Sequence, residues 1–132
     1  MSLFARSVST LRVLILLLST LNNTMAVKAL IRVTNDLGVL DITVSCKVDD
    51  NHPHVLSPGT YYEWNFSPDN EFGTEPLFSN CSFQWERGHY HTFDLYVEVR
   101  DGDCSKCLWL IKPDSPCRYT GNSRFACYQW KT

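Results

Sequence analysis

Leu40-Asp-Ile-Thr-Val-Ser-Cys-Lys-Val48 alternates without a break, apolar at every even position. A period of two is the mark of a strand with one dry face and one wet face. The same period runs through Phe93-Asp-Leu-Tyr-Val-Glu-Val99 and, less regularly, through residues 29–33 and 62–66. Further strands are expected at 77–85, where Leu77, Cys81, Phe83 and Trp85 share a face, at 107–111 and at 125–130. Between these seven segments lie Asn35-Asp-Leu-Gly38, Ser57-Pro-Gly59, Ser67-Pro-Asp-Asn70, Arg100-Asp-Gly102 and Lys112-Pro-Asp-Ser-Pro116. Their Pro, Gly, Asn and Asp residues set turns and break helices, and no amphipathic helix is visible. Many short strands and abundant aromatic side chains require two layers, so the expected fold is all-β, a small antiparallel β-sandwich stapled by disulfides.

The staples follow from six cysteines in 132 residues, at 46, 81, 104, 107, 117 and 127. All lie beyond a leader in which Arg6 and Arg12 flank and precede the apolar run Val13-Leu-Ile-Leu-Leu-Leu18, and Thr24-Met-Ala26 supplies a cleavage site. Residues 1–26 therefore read as a secretory signal peptide and 27–132 as one domain. The apolar run is too short to span a bilayer, which needs roughly 20 residues. The expected product is secreted, extracellular and not membrane-anchored, and an even cysteine count in such a chain implies bridges. Six cysteines allow 15 pairings. Cys104 and Cys107 are expected to take different partners from Cys46 and Cys81, in an order that spacing leaves open, and Cys117 is expected to pair with Cys127.

Removing the leader takes the formal net charge from −2 to −4, because it carries two arginines and no acid. A mildly acidic domain has no basic stripe with which to neutralise phosphates, so nucleic acid is not an expected partner.

Chemistry-bearing residues are sparse. Cys104-Ser-Lys-Cys107 has redox or zinc-binding spacing, but neither a second ligand pair nor a strand-helix context accompanies it. His52-Pro-His54 and His89-Tyr-His91 each direct two imidazoles to one side of an extended chain. Were the two pairs to meet near a cation such as Arg87, they would suit a hydrolase or nuclease. Asp49-Asp50-Asn51 lacks the glycine and final glutamate of a calcium loop. Trp64, Trp85, Trp109 and Trp130 fall at core-compatible spacing, and a sugar-binding sandwich would need one of them exposed. No catalytic residue, metal site or cofactor is assigned. Asn65-Phe-Ser67 and Asn80-Cys-Ser82 are glycosylation sequons, so Asn65 and Asn80 are possible glycan sites, the first followed by Pro68 and the second beside a bridged cysteine.

In order along the chain come Val33-Thr-Asn35 with Leu37-Gly38, Val44-Ser-Cys46, Asp49-Asp50, Leu56 with Gly59 and Tyr62-x-Trp64-x-Phe66. Phe78, Cys81-Ser-Phe83-x-Trp85, Cys104 and Cys107-Leu-Trp109 follow. This arrangement resembles the plant self-incompatibility protein family, the S-protein homologues. The ending, Pro116-Cys117 and Cys127-Tyr-x-Trp130, resembles a subset with extra C-terminal cysteines. The resemblance implies a secreted β-sandwich whose founding members are pistil ligands for a pollen membrane receptor, triggering rejection of self pollen. Asn51-His-Pro-His54 stands where the family more usually has a Leu-Gly pair. The expected role is a non-enzymatic recognition protein whose loops contact a cell-surface receptor. The loops assigned to that contact are 49–54, with Asp49, Asp50, Asn51, His52 and His54; 67–73, with Asp69 and Asn70; and 86–91, with Arg87, His89 and His91.

Overall fold

The computed structural model describes residues 29–67 and 77–132. The leader, its cleavage site, Asp69 and Asn70 lie outside the described residues.

Among the described residues, nine strands form two sheets. The first sheet contains β1 (Ala29–Asn35), β4 (Tyr61–Phe66), β7 (Lys106–Ile111), β8 (Pro116–Gly121) and β9 (Arg124–Cys127), in the order β4-β1-β7-β8-β9. The second contains β2 (Ile42–Ser45), β3 (His54–Leu56), β5 (Cys81–Trp85) and β6 (His89–Phe93), in the order β3-β2-β5-β6. Neighbours are antiparallel except β1 and β7, which run parallel from Leu30 opposite Lys106 to Asn35 opposite Ile111. The all-β sandwich stands, with one parallel pair inside it.

Alternation decides which side chains meet. Ile31 and Val33 of β1, Trp64 and Phe66 of β4, and Cys107, Trp109 and Ile111 of β7 point inward. They face Ile42, Val44, Phe83, Trp85 and Phe93 of the second sheet in one buried cluster. Phe78, on the segment leading into β5, plugs this core with its ring 5.6 Å from Trp64 and 4.9 Å from Phe66. Burial of a large apolar side chain contributes about 1.5–3 kcal/mol, so this seam holds the layers together.

Several expected boundaries shift. The strand read across 40–48 shortens to Ile42–Ser45, because Lys47–Asp49 coil into a 3-10 turn after Cys46. The segment 77–80 is a turn rather than the start of β5, and β9 stops at Cys127. The alternation over 93–99 is the largest misreading. Only Phe93 ends a strand; beyond it the chain bends into a short helix, α1 (Glu98–Asp101). Val97 and Val99 are exposed there, and the Asp101 carboxylate accepts the Val97 backbone N–H at 2.9 Å. Burying Asp101 turns the chain away from the sheet that local pattern favours. Strands β3, β6 and β8 escaped the alternation rule: β3 is three residues long, β6 is polar and exposed until Phe93 ends it, and Pro116 and Gly121 bound β8.

The disulfides join Cys46 to Cys81, Cys104 to Cys107 and Cys117 to Cys127. The third is as expected, but Cys104 and Cys107 bridge each other instead of reaching Cys46 and Cys81. Cys46 and Cys81 follow β2 and open β5, adjacent antiparallel strands in which Ser45 lies opposite Ser82. Cys104 lies in the turn that feeds β7 in the other sheet, and Cys107 is the second residue of that strand.

After β9 the chain crosses from the first sheet to the second. Trp130 packs against Phe83, Trp85, His91 and Phe93, the Lys131 N–H donates to the Thr92 carbonyl, and Lys131 Nζ pairs with Asp94. This strap closes one side of the sandwich.

Candidate functional site

The 49–54 segment is held from below. Asp49 Oδ2 lies 2.5 Å from His54 Nε2 and accepts a hydrogen bond from Trp64 Nε1 at 3.1 Å. The His54 ring stacks on Tyr62 with centroids 3.7 Å apart, and His52 meets it edge-on at 5.2 Å. The alternation of β4 puts Tyr62 and Trp64 on the same face, and the 3-10 turn lifts Asp49 over them. Burial acts to raise the Asp49 pKa, but hydrogen bonds from His54 and Trp64 and the attraction of the imidazole outweigh it, holding the carboxyl below its ordinary range.

Above this anchor, Asp50, Asn51 and His52 are exposed, with Asp50 and Asn51 in the left-handed backbone region at φ 57° and 59°. Asn and Asp tolerate that region better than other residues with a Cβ. The loop is thus a short, polar, conformationally fixed projection, fastened at one end by the Cys46–Cys81 bridge.

The second expected contact, 67–73, lies almost wholly outside the described residues. The third, 86–91, is split by the structure. Arg87 is exposed in the turn between β5 and β6, whereas His89 and His91 lie on β6 against Trp85 at 5.5 and 5.2 Å. His91 stacks on Trp130, and its Nδ1 is 3.0 Å from the Thr132 carbonyl, so it clasps the terminal strap.

Strand order keeps these groups apart. Because β2 runs antiparallel to β5, the turn after β2 and the turn after β5 lie at opposite ends of the sheet. His54 opens β3 and His89 and His91 lie on β6, opposite edges of the same sheet, three strand spacings or about 14 Å apart, with His52 in the turn before β3. The pairing that a hydrolase or nuclease reading required is absent. Within each pair the expectation holds, since His52 with His54, and His89 with His91, face one side. Among the described residues no hydroxyl or thiol hydrogen-bonds His54, and its ring is oriented by Asp49 and the Tyr62 stack.

The sugar-binding reading loses its rings in the same way. Trp64, Trp85 and Trp109 are buried, and Trp130, part of the strap, is partly buried against the core. Asn65, opposite Leu30, and Asn80 are both exposed. Among the described residues, no three His, Cys, Asp or Glu side chains gather to hold a metal ion.

One cluster escaped the sequence reading. Asp101, fully buried, takes hydrogen bonds from Arg100 Nε at 2.9 Å and Nη2 at 2.6 Å, and lies 3.2 Å from Arg118 Nε. Arg100 is enclosed by the rings of Phe93, Trp109 and Tyr128 at 4.8, 4.9 and 5.1 Å. Arg100-Asp-Gly102 reads locally as a turn; the one hint was an inward arginine at 118, flanked by Cys117 in a strand the pattern hid. Asp94 is a second organised carboxylate. Burial raises its pKa, but the Asn80 N–H at 2.8 Å, Lys131 and Ser79 outweigh that and hold it low.

Comparison with known proteins agrees with the sequence landmarks. Residues 30–130 match the family model for plant self-incompatibility protein S1. S-protein homolog 5 of Arabidopsis thaliana is 38% identical over 104 residues, covering 76% of this chain and 77% of that protein. S-protein homolog 19 of the same plant is 35% identical over 98 residues, covering 73% and 71%. No solved structure matches the chain. With nearly all the described fold inside the matched region, the chain belongs to the plant self-incompatibility S1 family.

Proposed function

We propose that this chain is an exported recognition ligand for a cell-surface receptor, made with a signal peptide over residues 1–26 and acting outside the cell without enzymatic activity. Family membership supports that class of role, and the founding members' part in rejecting self pollen is its most specific form. The observation that carries the reading is the exposed Asp50-Asn-His52 projection on a frame fixed by the Cys46–Cys81 bridge and the Asp49–Trp64 hydrogen bond. A rigid loop loses little entropy on binding, so a small surface can still give specific contact. Arg87 lies at the other end of the second sheet, which makes the 49–54 end the primary contact and the 86–88 turn a separate one.

The test uses full-length protein secreted from plant cells with its bridges intact, labelled and titrated onto pollen and vegetative cell surfaces. Saturable binding is expected. Asp50→Asn with His52→Ala removes a charge and a ring while keeping the left-handed backbone tolerable, and is expected to abolish binding without altering circular dichroism. Equal binding by the double variant rejects this contact surface, and retention of the protein inside the cell rejects export.

A further inference from the structure

Alternation that sends Cys107, Trp109 and Ile111 of β7 into the core turns Leu108 and Leu110 outward, at the middle of the five-stranded sheet. The parallel register sets Arg32 of β1 beside Leu108. The register of β7 with β8, which pairs Trp109 with Arg118, brings Tyr119 to the other side of Leu108. Phe125 of β9 lies opposite Tyr119, with ring centroids 5.4 Å apart, and the two are 46% and 38% exposed respectively. Together these side chains line an open apolar groove of about 270 Å³. The outer face of the second sheet is different in kind, presenting Thr43, Ser82 and Gln84.

The two halves of the first sheet's outer face complement each other. On the β8–β9 side stand two exposed rings. On the β4–β1 side, Arg32 Nε donates to Glu63 Oε1 at 2.7 Å, and the guanidinium lies over the Tyr61 ring at 4.2 Å. A planar guanidinium has an edge and two faces. Here the edge is held by a carboxylate and one face by a ring, and among the described residues no second ring covers the other face.

We propose that this face docks a second copy of the chain, related to the first by a two-fold axis along β7. That axis lays β1 of each copy over β8 of the other and β4 over β9, so Leu108 meets Leu108 and each Arg32 meets the second copy's Tyr119. The contact is a cation on an aromatic face, made twice. An axis across the strands would instead stack Arg32 on Arg32, with like charges opposed. Strand spacing and the length of β7 give a footprint of about 400 Å² per copy, half the roughly 800 Å² of a standard interface, so the dimer is weak and concentration-dependent. Because the axis follows the strands, both copies direct their 49–54 ends the same way. The surface is read from register alone and does not depend on the receptor reading.

The experiment is sedimentation equilibrium of the disulfide-intact, ¹⁵N-labelled protein from about 10 µM to 1 mM, the range for an interface smaller than those of micromolar or tighter complexes, with NMR spectra across the same series. The mean mass is expected to rise toward twice the monomer. Amide shifts are expected at Leu108, Leu110, Tyr119 and Phe125 and not at Thr43 or Gln84. Phe125→Ser, at an exposed position, and Arg32→Gln are each expected to weaken association about tenfold with circular dichroism unchanged, since a symmetric dimer loses each contact twice. A monomer mass that stays constant to 1 mM, shifts centred on the second sheet, or a Phe125→Ser protein that associates like the parent overturns the proposal. A monomer that takes up an apolar dye or lipid vesicles at this groove overturns it equally, assigning the face to an apolar ligand or a membrane.

Discussion

Asn35 gives a sharp test of what holds the two sheets in register. It ends β1, is 1% exposed, and makes three side-chain hydrogen bonds. Its Nδ2 donates to the Leu40 carbonyl at 2.7 Å and the Leu56 carbonyl at 2.8 Å, and its Oδ1 accepts the Leu37 N–H at 2.9 Å. One side chain on the first sheet thus ties the entry to β2 and the end of β3 in the second. Asn35→Ala strands all three backbone groups. The Leu56 carbonyl is buried and should contribute about 1–2 kcal/mol of the loss, with Leu40 and Leu37, partly buried, adding about 0.5–1 kcal/mol each. The expected destabilisation is about 3 kcal/mol, a large share of the roughly 5–15 kcal/mol of a typical domain. Asn35→Asp should be worse at neutral pH, since it keeps the acceptor for Leu37 but turns a carboxylate toward two carbonyl oxygens. Urea unfolding of oxidised protein measures both, with an unchanged m-value confirming that only stability moved. A loss below about 1 kcal/mol for Asn35→Ala would refute this reasoning and assign the register to apolar packing alone.

Loop closure ranks the bridges: separations of 35, 10 and 3 residues give about 4, 3 and 2 kcal/mol for Cys46–Cys81, Cys117–Cys127 and Cys104–Cys107. Paired Cys→Ser variants compared by thermal unfolding should keep that order, and a larger loss at 104 and 107 would contradict it. Asp49 and Asp94 have depressed pKa values in the folded state. Their stabilisation is therefore complete above the unfolded carboxylate value of about 3.9 and is lost as pH falls through the lower folded values. Urea midpoints measured from pH 6 to 2 should fall in that acid window, and Asp94→Asn should flatten the fall; an identical acid slope would discount the Lys131 and Asn80 contacts. Trp130→Ala should free the terminal strap, with about 2–3 kcal/mol lost and the His91 ring resonances shifted toward a solvent-exposed position. Unchanged His91 resonances would show that the strap does not depend on its tryptophan.

The sequence by itself determined the class of fold and the content of the core. Alternation depends only on the two-residue period of an extended chain, so Ile42, Val44, Phe83, Trp85, Trp109 and Ile111 could be assigned inward before any partner strand was known. The ordered landmarks from Val33 to Trp109 likewise identified the family. Pairings at a distance were decided by the tertiary structure alone. The pairing of Cys46 with Cys81, which leaves Cys104 and Cys107 to bridge each other, and the opposite edges occupied by His54 and His91 depend on strand order, and the helix that replaces a strand after Phe93 depends on the burial of Asp101. The cluster around Asp101 is of the same kind: Arg100 and Arg118 are 18 positions apart, and only the turn into β7 and the return of β8 bring both guanidiniums to one carboxylate. A linear pattern records which face a residue prefers; it does not record which other face the folded chain will set against it.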